Sequence, residues 1–152
     1  MKNGNAFSTA IKNGACTMQN DVIINKTNII GRCLKRVLEE YNGNPDNLNN
    51  LAQQDSITLN IQRACEACID LAMHLVAEKD LGIPQNSKDA FELLLKNGII
   101  GPELSSRLKA MVGFRNIAVH DYQALNLTII KKIIENHLKD IEEFANLILK
   151  LE

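Results

Sequence analysis

The sequence predicts an all-α fold, an up-and-down bundle of about five helices around one core. Three observations predict it. Apolar residues recur at steps of three and four over long stretches, no segment alternates with the two-residue period of a strand, and strong helix stops separate the stretches. With 152 residues the chain can bury one ordinary core, and a second independent domain is not expected. A hydrophobic content of 45% beside 23% charged residues is that of a globular chain, and 4% aromatic residues without Trp suit aliphatic helix packing.

Residues 1 to 19, with Asn3, Gly4, Asn5, Asn13 and Gly14, lack a helical stripe and read as a flexible lead-in or as an upstream extension before a natural start at Met18. The domain is expected over residues 20 to 152. A first helix should run from near Asp21 to Tyr41, where Asn42, Gly43, Asn44 and Pro45 stop it. The second should begin near Pro45 or Asp46, stay polar through Gln54 and reach Lys79, before Leu81-Gly82-Ile83-Pro84 breaks the chain. Ser87, Asp89 and Ala90 open a short third helix that ends at Asn97-Gly98. Pro102 starts a fourth. Thr128 is the expected cap of a fifth, whose stripe of Ile130, Ile133, Ile134, His137, Leu138, Ile141, Phe144, Ala145 and Ile148 runs almost to the end.

The fourth helix carries the residues that point to chemistry. Arg115, Asn116, His120, Asp121 and Tyr122 fall within eight positions, on a helix whose stripe reads Leu104, Leu108, Met111, Val112, Arg115, Ala118, Val119 and Tyr122. Arg115 interrupts that apolar stripe, so it needs an anion, a partner chain or a path to solvent along its own stem. Arg offers a planar, permanently charged fork to phosphate oxygens, and His titrates near neutrality. Together they suit chemistry on a phosphate. Five helical steps turn through about 140° and rise about 7.5 Å, so Arg115 and His120 cannot share a face of a regular helix. Either the helix breaks before His120 or a second subunit supplies the missing neighbour.

Arg115, His120 and Tyr122 form the R-x4-H-x-Y pattern, with a polar Asn116 after the Arg, and this resembles the HepT-like group of HEPN-domain proteins. The stretch from Ile61 to Val76, with Asp70 and His74 one turn apart, is similar to the second helix of that family, and the likeness extends from about Asp21 to Leu151. The resemblance implies a metal-independent endoribonuclease toxin. In it Arg115 would grip the scissile phosphate and His120 would deprotonate a ribose 2′-hydroxyl, with Asn116 and Asp121 in support. It further implies a minimal nucleotidyltransferase antitoxin as partner, transferring AMP to Tyr122. The alternative within the family is a non-catalytic subunit that presents a nucleotide or substrate to the nucleotidyltransferase. A purely structural helical adaptor is a third class.

The resemblance also implies a homodimer whose two motifs face one cleft. On the second helix Arg63, Ala67, Asp70, His74 and Ala77 line up opposite the apolar stripe, and Ile69 and Met73 widen the apolar surface toward them. A helix packed on two sides is either central to its own bundle, with Asp70 and His74 as a local pair, or covered by another subunit; Arg63, Asp70 and His74 are the candidate cleft or interface residues.

No metal and no cofactor are expected. Cys65 and Cys68 form a C-x2-C without a second pair, on a continuous apolar stripe that makes them small core residues; Cys16 and Cys33 have no informative spacing. A formal charge of −1 excludes a general basic field, so RNA contact would come from a local patch. The sequence has no run of eighteen apolar residues and no signal peptide, so no membrane association and a cytoplasmic location are expected.

Overall fold

The computed structural model describes residues 14–151, which form six α-helices and two 3₁₀ turns with no strand among the described residues. Helix α1 spans Gly14–Tyr41 and α2 spans Leu51–Glu78, joined by a 3₁₀ turn at Pro45–Asn49. Short helix α3, Ser87–Lys96, leads into α4, Pro102–His120. A second 3₁₀ turn, Tyr122–Ala124, precedes α5, Leu127–Asn136, and α6, Leu138–Leu151. The bundle expected from the sequence is therefore present, with one helix more.

Four boundaries differ from expectation. Helix α1 is already formed at Gly14, ahead of Asp21. Ala15 to Gln19 contain no Pro or Gly, so a helix fixed further along can propagate back without an amphipathic stripe of its own. The lead-in expected over residues 1–19 lies, for residues 1–13, outside the described residues. The stretch from Pro45 is a 3₁₀ turn rather than the start of α2, because Asn50 caps α2 by accepting from the Gln53 amide. An asparagine replaces the expected cap of the fifth helix too: Asn126, not Thr128, is the cap and accepts from the Thr128 amide at 2.7 Å, whereas Ser87 opens α3 as expected, behind Asn86, which accepts from the Asp89 amide at 3.0 Å. Finally, the last helix is divided at His137, whose φ of −122° leaves helical space while its amide still donates to the Ile133 carbonyl.

The stops behave as their residue types require. Asn42 and Gly43 both adopt left-handed backbone, at φ 50° and 67°, and reverse the chain after α1. Gly98 at φ 73° closes α3, and the following Ile99 amide donates to the Leu94 carbonyl.

Helix α2 is the centre of the bundle. It packs along α1 and also meets α3, α4 and α6. Ile57, Ile61, Ala64, Leu71, Ala72 and Leu75 are completely shielded from water, and the residues that looked outward in sequence, Ala67 and Ile69, are buried too. The two-sided packing read from α2 is thus met largely within the chain. Phe91 of α3 and Phe144 of α6 meet edge to face, with ring centroids 5.5 Å apart, and close the core below α4. The division at His137 preserves the apolar stripe: Ile130, Ile133, Ile134, Leu138, Ile141, Phe144 and Ile148 are all buried. It also brings Asp140, 1% exposed, to Arg107 at 2.9 Å and to His137 Nδ1 at 3.2 Å.

Cys33, Cys65 and Cys68 are free and buried. Burial pushes the Cys65 thiol up to about 12, partly offset by the nearby positive charge of Arg115. These sulfurs fill core space as neutral thiols. No helix among the described residues is long and apolar enough to cross a membrane.

Candidate functional site

The C-terminal half of α4 positions the motif. Leu104, Leu108, Met111 and Ala118 bury the seam that faces α2 and α6, and Phe114 anchors the last turns at 5% exposure. Arg115 occupies the seam position between Met111 and Ala118, as expected, but Val119 and Tyr122 do not continue it. Both are exposed, because the bundle ends there and the chain turns away at Asp121. Phe114 contributes the buried surface that the sequence assigned to Val119.

Arg115 is partly buried between α4, α2 and the start of α3. Its Nη2 donates to Ser87 Oγ at 3.0 Å, while its buried Nε has no hydrogen-bond partner. Among the described residues no carboxylate pairs with it. A guanidinium held by one neutral hydroxyl, without a counter-ion, retains its attraction for an external anion. The first turn of α3 beside it contributes the positive end of a helix dipole. Ser87 thus joins the candidate site. In the sequence it read as a helix opening, and nothing there ties it to Arg115.

His120 is the last residue of α4 and is exposed. The helix does not break before it: the Asp121 amide still donates to the Ile117 carbonyl at 2.8 Å. Of the two sequence alternatives, the broken helix is therefore overturned, and His120 stays about 140° around the axis from Arg115. Asn116 is exposed on a third direction of the same helix, and Asp121 caps its end through the backbone with its side chain in solvent. One copy of the chain does not close these groups around a single reacting atom.

Tyr122 opens the 3₁₀ turn after α4 and is 46% exposed. Its hydroxyl donates to Asp55 Oδ1 of α2 at 2.6 Å. That hydrogen bond, then burial and the charge of Asp55, push the phenol above its ordinary range, while the nearby Thr58 hydroxyl acts in the opposite sense. Asp55 was missed in the sequence, since no spacing connects positions 67 residues apart.

Arg63, Asp70 and His74 are not drawn to the motif. Arg63 and Asp70 line a groove of about 460 Å³ between α1 and α2, together with Lys26 and Arg32, and neither Arg115 nor His120 borders it. Asp70 and His74 do not pair with one another, as a local reading allowed. Asp70 accepts from Lys26 Nζ at 2.8 Å, and His74 Nε2 lies 3.4 Å from Glu78 one turn further on. Each found a partner one turn away or across the helix pair, which releases the (i, i+4) contact. Among the described residues no group of three or more His, Cys, Asp or Glu side chains is placed to hold a metal ion.

Known proteins share both the fold and the motif-bearing region. The chain is 50% identical over 129 residues to the mRNA nuclease HepT of Shewanella oneidensis, covering 85% of this chain and 97% of that one. It is 28% identical over 106 residues to the tRNA nuclease HepT of Aphanizomenon flos-aquae, covering 69% and 72% respectively. Among solved structures, the tri-AMPylated Shewanella oneidensis HEPN toxin in complex with the MNT antitoxin superposes with a TM-score of 0.81 at 50% identity, over 87% of this chain and 98% of that one. The model of the ribonuclease HepT-like family matches residues 19–148, nearly the whole described bundle, and the chain belongs to that family.

Proposed function

We propose that the protein is a metal-independent endoribonuclease toxin, formed by one domain over residues 20 to 152 and acting in the cytoplasm, where the buried thiols of Cys33, Cys65 and Cys68 stay reduced. The observation that carries this reading is Arg115, a part-buried cation without a carboxylate partner among the described residues, at the start of an intact R-x4-H-x-Y motif. Its fork takes the scissile phosphate, and His120 accepts the proton of the adjacent 2′-hydroxyl. The oxygen so freed attacks the phosphorus in line, the bond from phosphorus to the 5′-oxygen breaks, and that oxygen leaves with the electron pair and takes a proton from water, giving a cyclic phosphate and a 5′-hydroxyl end. Asn116 steadies the phosphate or the imidazole, and Asp121 biases the His tautomer.

The unbroken helix supports a homodimer, because a second copy can set its own His120 beside the first copy's Arg115. Ile117 and Val119, which flank His120 and are 41% and 45% exposed, supply apolar surface for such a contact. Silencing follows from the same site. A nucleotidyltransferase antitoxin transfers AMP to Tyr122, and the added charge and bulk compete with RNA phosphate for Arg115. The HepT relatives' names, which describe nucleases, favour this over a purely nucleotide-presenting subunit.

Cleavage of a mixed RNA pool in EDTA tests the proposal. The wild-type chain should produce cyclic phosphate ends, and Arg115→Ala and His120→Ala should each lose at least about 100-fold in rate. Folded, unmodified protein that binds nucleotide but leaves RNA intact would replace the nuclease reading with the presenting-subunit one.

A further inference from the structure

The contact between Tyr122 and Asp55 joins two elements that nothing in the chain's local pattern relates. Asp55 sits in the early, polar part of α2, whereas Tyr122 follows α4. At 2.6 Å the O–H···O distance lies in the charge-assisted range rather than that of an ordinary hydroxyl pair. Asp55 makes no ion pair among the described residues, so its charge is not engaged elsewhere. Both side chains are at the surface, where an approaching active site can reach the phenol oxygen.

We propose that Asp55 is the proton acceptor that activates Tyr122 for nucleotide transfer, an inference that rests on the reading of Tyr122 as the AMP acceptor. At neutral pH an ordinary phenol carries its proton, and here the carboxylate holds it more firmly still. Attack must therefore lose the proton as the new bond forms, not before, and a base already in contact with that proton meets the need. In the step, Tyr122 Oη attacks the α-phosphorus of a nucleoside triphosphate held by the nucleotidyltransferase partner, and the Oη–P bond forms. The bond from that phosphorus to the bridging oxygen breaks, pyrophosphate leaves with the electron pair, and the phenolic proton passes to Asp55 Oδ1 and then to water.

The step also explains why the product would not relax to the starting arrangement. The modified oxygen has no proton to donate, and a phosphodiester charge now stands beside the Asp55 carboxylate. The two repel, so the turn at Tyr122–Ala124 loses its tie to α2 directly after His120. Asp55 thus links modification to the geometry of the motif.

The test is single-turnover AMP transfer from MgATP by the nucleotidyltransferase partner, with peptide mass mapping, on the wild-type chain, Asp55→Asn and Asp55→Glu. Asn retains an acceptor oxygen for the hydrogen bond but is not a base, and melting temperatures report whether each variant folds. Asp55→Asn should transfer about 100-fold more slowly at pH 7 and regain about tenfold per pH unit toward pH 9 as phenolate forms. The wild-type rate should be flat over that range, and Asp55→Glu should recover most of it. Equal rates and pH profiles for wild type and Asp55→Asn would overturn the role of Asp55 while leaving Tyr122 as acceptor. Wild-type label on a residue other than Tyr122 would instead overturn the reading on which the inference rests.

Discussion

Replacing Arg115 by Met separates the demands of folding from those of the site. Met is similar in length and helix propensity, so the change removes the charge with little disturbance of α4. Two effects on stability oppose one another. The hydrogen bond from Nη2 to Ser87 Oγ is lost, at about 1.5–3 kcal/mol for a bond to a charged group. Against this, the buried Nε no longer lacks a partner, which returns about 1–3 kcal/mol. The net change in urea unfolding should lie within about 1 kcal/mol of zero. Loss of the phosphate grip has no such offset, and RNA cleavage should fall by about 10² to 10³. A destabilisation of about 3 kcal/mol or more would show that Arg115 serves the fold, and undiminished cleavage would show that its charge is not used on phosphate.

Other perturbations test the surrounding framework. Arg107→Met leaves the Asp140 carboxylate buried with only His137 beside it, so about 3 kcal/mol should be lost and the melting temperature should fall by roughly 10 °C; a change under about 2 °C would contradict the buried pair. Cys33, Cys65 and Cys68 should resist a thiol reagent at pH 8 and react only after unfolding, since burial raises all three thiols; fast native labelling of Cys65 would contradict its place in the core. The phenol of Tyr122 should titrate above that of a free tyrosine, and Asp55→Asn should bring it down. Because the folded value is raised, this bond's stabilisation is present below about pH 10 and is lost as pH rises through the folded value. A wild-type titration no higher than that of Asp55→Asn would show the bond is absent in solution.

The all-helical bundle was legible because aliphatic stripes and Gly- or Pro-containing stops act locally. The stripe from Ile130 to Ile148 is buried as read, and Gly43 and Gly98 take the left-handed turns that end α1 and α3. Caps were less legible. Thr128 stands two positions beyond Asn126, a residue of at least equal capping strength, and which oxygen meets the free amide depends on backbone angles that composition does not encode. The divided last helix was hidden for another reason: a stripe interrupted by a single non-helical residue keeps its period, and only the buried contacts of Asp140 reveal the bend.

Within the candidate site, the motif residues were legible as residues but their neighbours were not. The interruption at Arg115 is visible in the stripe because a cation among Met111, Val112 and Ala118 is costly without an anion. Its contact with Ser87 and the bond from Tyr122 to Asp55 depend on how distant helices pack, which helical spacing does not determine. The local pairing of Asp70 with His74, one of the two alternatives read for α2, is absent for the same reason, since Lys26 comes from another helix.

The proposed dimer requires Arg115 and His120 to act on one phosphate across two copies of the chain. RNA cleavage by a refolded equal mixture of Arg115→Ala and His120→Ala chains measures whether such a shared site exists. In a two-fold dimer half of the molecules are mixed, and each mixed dimer rebuilds one intact site of two, so activity should return to about a quarter of wild type although each variant alone is inactive. A mixture as inactive as its components, with exchange of subunits confirmed, would contradict a shared site and place both residues' action within a single chain.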